Sequence, residues 1–430
     1  MDFKGLRVRD DIIALLSRQG ISQPTQIQEL AIPLVMRGKD VVAQSKTGSG
    51  KTLAYAIPLV QNLKNDKGVK ALIIAPTREL CSQIAKEIDK ISARSLFIQT
   101  AYGGVSIEPQ IRNMPYTDIL VGAPGRLLDL INRRVLKLDK LQILVLDEGD
   151  HMFDMGFIRD IDKIIRATPK DRQTLLFSAT VPNQIKHLID RYMNAPQYIK
   201  PSQYVEAHLL KQYFYYVPHA LKMTVMVNLL KNEKSELSLV FCSTKRGANM
   251  LTRTIRANGI NVEALHGNIS QAKRESTTNR FKHGDIKVVV ATDLAARGLD
   301  INKISHVYNF NVPNPMIVYT HRIGRTARIG KEGAAISIVS ENEAELFRDI
   351  YNVFRGNITE LKVTPELSVP IITAVAEERR RFDSSRRNRQ SKHARENNHR
   401  HSSAGTKPTE HRFSRPSRSH SLRNARHRRS

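Results

Sequence analysis

Short β-branched runs that alternate with amphipathic stretches constrain this chain more than any other feature of it. From Asp40 to Tyr198 the runs read "DVVAQ", "ALIIAP", "DILVGAP", "QILVLDE" and "QTLLFSAT". After a polar join near "KPSQYVEAH" they resume as "LSLVFCST", "VEALHG", "KVVVATD", "HVYNFNVP" and "AAISIVS", and the pattern fades after Pro365. Nearly continuous apolar runs spaced by helical stretches mark parallel sheets covered on both faces. The expectation is two similar α/β domains, a short linker over 202–208, and a tail. The unusual residues fall just past the carboxyl ends of the strands, where open α/β sheets bind ligands. Two such edges facing each other make a cleft with chemistry on both walls.

At 430 residues the chain is long enough for two or three domains. No apolar run approaches the length needed to cross a bilayer, and "MDFKGLRVRDD" lacks the profile of a secretory signal. The two cysteines, Cys81 and Cys242, lie far apart, which fits reduced thiols in a cytoplasmic protein. Net charge is +27. From Arg379 onward basic residues far outnumber acids, and Phe382 and Phe413 are the aromatics there. Such a segment cannot bury enough apolar surface to offset its ordering entropy, so it is expected to be disordered. Its charge suits an arm for a polyanion, RNA or DNA.

"AQSKTGSGKT" follows the first strand run and precedes a helical one. In a loop built of Ser45, Lys46, Thr47, Gly48, Ser49 and Gly50, the glycines let backbone N–H groups turn inward on phosphates. Lys51 then reaches the β and γ oxygens, and Thr52 offers a hydroxyl to Mg²⁺. Further on, "ILVLDE" ends in Asp147, suited to the metal, and Glu148, suited to polarising water. Asp150 follows at once, and Gly149 lies between.

With these motifs in order, residues 1 to about 365 resemble the DEAD-box family of ATP-dependent RNA helicases, superfamily 2, with DEGD as the signature. The resemblance implies two tandem RecA-like domains, 1–205 and 206–365, with a basic, largely disordered tail over 366–430. It places Gln28, in "GISQPTQIQ", on the adenine edge and Phe3 on the ring, which suggests ATP over GTP. It makes Ser178 and Thr180 partners of Asp150 that couple hydrolysis to RNA. In "YTHRIGRTARIG" it makes Arg325 and Arg328 arginine fingers, with His321 and Arg322 bridging to the first domain's carboxylates. Asp300 is expected near the ribose, and Gln271 and Arg274 match the interdomain pair.

A second set of strand ends is expected to track RNA. On the first domain these are Arg78, Gly103, Gly104, Pro124, Gly125 and Arg126. On the second they are Thr244, Thr292, Arg297 and Gly298. Pro124 suits a first helical turn whose free N–H groups face a phosphate. Backbone amides and single arginines read a sugar–phosphate path, so little base specificity is expected. By analogy with the family, closure pries a short duplex apart locally.

Three positions depart from the family pattern. Ala123 replaces a Thr expected to donate to phosphate. Ala327 replaces a Gly, which a helical setting would tolerate. Gly149 replaces Ala, and since Gly is smaller no clash is expected and the site should be active. A compact chain with a basic tail looks most like bacterial RhlE-type members, active in ribosome assembly or RNA degradation, with partners there reached through the tail. The alternatives are a non-catalytic RNA clamp or annealing protein, and a DNA helicase of the same superfamily.

Overall fold

Each of the ten runs quoted above is a strand, and four further strands join them in two parallel seven-stranded sheets. The computed structural model describes residues 1–45, 48–63, 68–93, 95–201, 209–232, 236–296, 301, 303–327 and 332–373. The expected linker over 202–208 and nearly all of the tail lie outside the described residues. The first sheet comprises β1 (Val41–Gln44), β2 (Ala71–Ile74), β3 (Ile98–Ala101), β4 (Ile119–Gly122), β5 (Ile143–Asp147), β6 (Gln173–Ser178) and β7 (Gln197–Ile199). Its strand order is β3-β4-β2-β5-β6-β1-β7.

The second sheet comprises β8 (Leu210–Tyr216), β9 (Ser238–Phe241), β10 (Val262–Leu265), β11 (Val288–Ala291), β12 (His306–Asn309), β13 (Gly333–Val339) and β14 (Ile358–Glu360). Its order is β10-β11-β9-β12-β13-β8-β14. Both sheets belong to one compact unit, residues 1–372. Among the described residues no helix is long and apolar enough to cross a membrane. Cys81 and Cys242 are both buried and free.

Alternate residues of each strand feed opposite cores. Val41, Ala43, Ile73, Val121, Val145 and Phe177 pack beneath the helices Gln26–Met36, Lys51–Asn62 and Arg78–Ser92. Val42, Leu72, Leu120, Leu144 and Leu176 face Pro124–Asn132, Ile158–Arg166 and Asn183–Tyr192. Burial overrides local preference here. Pro58 sits inside Lys51–Asn62, a placement that costs about 3 kcal/mol. Its neighbours Ile57 and Leu59 are fully buried, each worth about 1.5–3 kcal/mol.

Asp40 fixes where the first loop emerges. Its carboxylate accepts the N–H of Thr174 at 2.7 Å and that of Asn194 at 2.6 Å, setting β1 against β6. At the other end of the chain the segment past Pro365 packs on the second sheet's helices. Leu367 joins that core, and Asn228 donates to the carbonyls of Leu367 and Val369.

Strand order divides the functional edge of the first sheet. The loops after β1, β6 and β5 are neighbours, with Ala43, Phe177 and Asp147 in register. The ends of β3, β4 and β2 form the other half. Motifs scattered over more than a hundred residues thus sort into two groups.

Candidate active site and nucleic-acid interface

The phosphate loop is shaped by two left-handed glycines, Gly48 at φ 84° and Gly50 at φ 90°. Lys46 and Thr47 lie outside the described residues. Ser45 Oγ and Ser49 Oγ are hydrogen bonded at 2.6 Å, and Lys51 Nζ donates to the Ser45 carbonyl at 3.1 Å. A Cβ on Gly50 would stand 2.5 Å from Gln28 Nε2, so glycine is needed for close approach as well as for φ.

Gln28 departs from the expectation. Its Nε2 donates to the Gly50 carbonyl at 3.0 Å and its Oε1 accepts the Thr25 N–H at 3.0 Å. Thr25 and Gln28 form a capping box at the start of Gln26–Met36, which holds the amide on the helix end. Phe3 is 2% exposed and belongs to the core. In this conformation neither residue presents a free face to a base; Gln28 instead clamps the loop.

Asp147 is buried at the end of β5. Its Oδ2 accepts from Tyr55 Oη at 2.8 Å and its Oδ1 from the Glu148 N–H at 2.9 Å. Burial pushes its pKa up to about 6 against the opposing charge of Lys51. A carboxylate so poorly neutralised favours a cation beside it. Among the described residues no cluster of three or more His, Cys, Asp or Glu could hold a metal by itself. Mg²⁺ fits such a sparse set, because it takes one or two protein ligands and keeps water and phosphate for the rest.

Glu148 sits at φ 52° and precedes the short helix Gly149–Asp154. Its Oε2 meets His151 Nδ1 at 2.8 Å. Burial alone would raise its pKa, but His151, Arg325 and Lys51 together bring it down to about 2. A carboxylate held ionised in this way can orient and polarise water. Asp150 is likewise lowered: burial opposes ionisation, and the imidazoles of His321 and His151 with Lys51 outweigh it.

Ser178 and Thr180 both bond to Asp150, Ser178 at its backbone N–H and Thr180 at its carboxylate. Asp150 N–H donates to Ser178 Oγ at 3.0 Å, and Ser178 Oγ donates to the Thr180 carbonyl at 2.7 Å. Thr180 donates its N–H and its hydroxyl to Asp150 Oδ2 at 3.0 and 3.2 Å.

The second lobe reaches this wall through one helix, Met316–Ile323. His321 Nδ1 lies 3.1 Å from His151 Nε2, and its Nε2 is 3.6 Å from Asp150 Oδ2. Arg322 does not bridge to the first lobe, contrary to expectation. It is 2% exposed and pairs with Asp293 of its own lobe at 2.6 and 2.8 Å. It also donates to Asn309 Oδ1 at 3.1 Å and to the Asn311 carbonyl at 2.7 Å. Adjacent helical residues point about 100° apart, so only one of this pair can face the cleft. Arg325 lines a small cavity with Phe241, Asp293, Val318, His321 and Arg322. Arg328 and Asp300 lie outside the described residues. Ala327 is also corrected: it sits at φ 52° beyond the helix, where an L side chain costs about 1–2 kcal/mol.

A second bridge joins the lobes beside the other half of the edge. Arg274 Nε pairs with Glu79 Oε1 at 2.9 Å, and Gln271 Nε2 reaches the same oxygen at 3.5 Å. Arg78, next in sequence, lies over the turn after β3, where a Cβ on Gly104 would stand 1.8 Å from its Nη1 and one on Gly103 3.9 Å from its Nη2. Pro124 begins its helix after an N-cap, Ala123, that supplies no side-chain bond. Nothing lies within 4 Å of a Cβ on Gly125. Arg126 donates to the Val105 carbonyl at 3.3 Å, and its Nη1 is buried without a partner. Thr244 caps Lys245–Ala257 through Gly247 N–H at 3.0 Å, and Thr292 is half-buried past β11. Arg297 and Gly298 lie outside the described residues.

Sequence reasoning overlooked Tyr55, Glu79, His151 and Asp293. Tyr55 and His151 had a local signal, standing one helical turn from Lys51 and Glu148 respectively. Asp293 had none, since only the tertiary fold puts it against Arg322.

Gly149 is the one departure inside the carboxylate motif. A Cβ there would stand 2.9 Å from Leu176 Cδ1, 3.5 Å from Ile185 Cδ1 and 3.7 Å from Ser178 Oγ, so added bulk is not free of contact. Leu176 and Ile185 also line an apolar cavity under Gly149, into which the leucine methyl can turn. Gly149→Ala is therefore expected to change ATP turnover by less than tenfold, the effect of about 1.4 kcal/mol at the transition state. Steady-state ATPase rates of the two proteins check this, and a larger change in either direction would refute it.

Comparison with known proteins agrees with this geometry. Residues 25–188 match the DEAD/DEAH box helicase family and 221–330 the helicase conserved C-terminal domain. The ATP-dependent RNA helicase CshA of Listeria monocytogenes is 44% identical over 364 residues, spanning 84% of this chain and 70% of that protein. The RNA helicase CrhR of Synechocystis is 44% identical over 360 residues, 83% of this chain and 73% of that one. Among solved structures, S. cerevisiae Dbp5 bound to RNA and ADP BeF3 superposes with a TM-score of 0.77 at 29% identity, covering 84% of this chain and 95% of that one. Such identity across most of both chains leaves one reading: the chain belongs to the DEAD-box family and is an ATP-dependent RNA helicase.

Proposed function

We propose that this helicase separates short RNA duplexes locally, without long tracking, and remodels RNA–protein complexes. The division of the first sheet's edge carries the reading. The groups assigned to ATP hydrolysis and its coupling follow β1, β6 and β5, those assigned to the RNA backbone follow β3, β4 and β2, and the second lobe touches both halves. A ligand pair that draws the lobes together must therefore meet both halves at once.

In this scheme Lys51 and the amides of residues 45–50 hold the ATP phosphates, and Glu148 polarises the attacking water. Thr52 and Asp147 hold Mg²⁺, which offsets phosphate charge. Arg325 and Arg328 complete the site from the second lobe, and Asp300 meets the ribose. Arg78, Gly104, Arg126 and Thr244 follow the RNA backbone with little regard for sequence. The basic segment from Arg379 adds affinity for RNA or for a ribosomal or degradative partner. Free buried thiols and an RNA substrate suit the cytoplasm, and the compact chain with its basic tail suits the RhlE-like type.

ATP-driven unwinding of RNA duplexes of increasing length, beside DNA duplexes of the same sequences, tests the proposal. Short RNA duplexes should open, with rates that fall steeply as base pairs are added. Rates independent of length would overturn local opening. Equal activity on DNA would favour a DNA helicase, and RNA binding without ATPase or unwinding would favour a clamp.

A further inference from the structure

His151 stands next to the carboxylate motif, yet nothing above gives it a task. It is 3% exposed, between Glu148 at 5% and Asp150 at 4%. Its two ring nitrogens face different lobes. Nδ1 lies 2.8 Å from Glu148 Oε2 and Nε2 lies 3.1 Å from His321 Nδ1, with the rings edge to face, 4.3 Å between centroids. His321 Nε2 then lies 3.6 Å from Asp150 Oδ2. Four side chains, Glu148, His151, His321 and Asp150, thus form one array across the cleft.

Counting protons along the array shows what it does. Glu148 is a carboxylate and can only accept, so His151 must carry its proton on Nδ1. Neutral His151 then accepts at Nε2, and His321 must donate from Nδ1. If His321 is also neutral, its Nε2 is an acceptor facing the Asp150 carboxylate, and that contact is loose and unbonded. One proton added to the histidine pair turns this last contact into a charge-assisted one, and all three links are then donor to acceptor. The charged groups acting on the array are Glu148, Asp150 and Lys51 from the first lobe and Arg325 from the second. Arg322 and Asp293 satisfy each other beside it. Burial holds His151 below its ordinary pKa, with Glu148 pulling the other way.

We propose that His151 is a positioning residue that fixes the Glu148 carboxylate and ties it to His321, so that the water-polarising group is locked only when the second lobe is in place. The proposal rests on Glu148 being that group. It gives the helicase a link between lobe closure and hydrolysis that is separate from the arginine fingers.

Two conservative variants separate the links. In His151→Asn the amide nitrogen stands near the position of Nδ1, keeping the bond to Glu148 while losing His321. In His151→Gln the amide reaches toward His321 and leaves Glu148 without its donor. His151→Ala loses both. RNA-stimulated ATPase should show kcat lowered by about ten- to a hundredfold in His151→Ala, with KM for ATP within twofold of the parent. His151→Asn should recover only part of that loss, the rest being the lost tie to His321, and His151→Gln little of it.

A His151→Ala protein with parental kcat, or a His151→Asn protein with the parental kcat in full, would overturn the proposal. Glu148→Gln, measured alongside, separates the two ideas. If Glu148→Gln abolishes turnover while His151→Ala does not, only the role of His151 fails. If Glu148→Gln keeps turnover, the assignment of Glu148 fails first.

Discussion

Arg325→Ala should lower RNA-stimulated ATP turnover by about 10³–10⁵-fold, the usual worth of an arginine finger. The side chain is 4% exposed and follows the helix that carries His321 into the cleft. Its charge is felt at Glu148, which places it close to the reacting groups of the other lobe. Loss of the guanidinium removes charge from the transition state without touching the phosphate loop, so ATP should still bind the first lobe. Single-turnover hydrolysis beside nucleotide binding checks both halves of the claim. Turnover within tenfold of the parent would remove Arg325 from the site.

Glu148→Gln should cost about 10²–10⁴-fold in turnover, the contribution of one positioned base. The amide is close to the carboxylate in size, and the surrounding bonds come from Asp147, His151 and the helix start, so the fold should persist. ATP and RNA should still draw the lobes together, and the RNA complex should outlive that of the parent because hydrolysis no longer releases it. RNA dissociation rates in ATP decide the matter. Release as fast as in the parent would mean that another group polarises the water.

Most of the sheet was legible because buried parallel strands advertise themselves as apolar runs. The strands that were not legible lack that signature for physical reasons. β3 reads "IQTA", half of it polar; β7 and β14 are three-residue edges; β8 reads "LKQYFYY", where aromatics replace β-branched residues. At the site, the motifs could be placed at strand ends because each follows its strand directly. Strand order, which brings β1, β6 and β5 together, cannot be read along the chain. Neither can the facing of one helical turn. Motif resemblance treats His321 and Arg322 alike, whereas the helix sends one into the cleft and the other into its own core. Ala327 failed for a similar reason: the helix stops at Ile323, and no residue nearby announces the left-handed turn that follows.

The two bridges between the lobes have a thermodynamic consequence. One, His151 to His321, lies beside the carboxylates after β5; the other, Glu79 to Arg274, lies beside the strand ends proposed to follow RNA. Forming either brings the other within reach, so the entropy of docking the lobes is lost once and shared by both ligands. Whichever ligand binds first bears that loss, and the second binds to a partly assembled surface. Linkage then requires that RNA tighten ATP by the same factor by which ATP tightens RNA. A substitution at Glu79, on the other half of the edge from the ATP phosphates, must weaken the two effects equally.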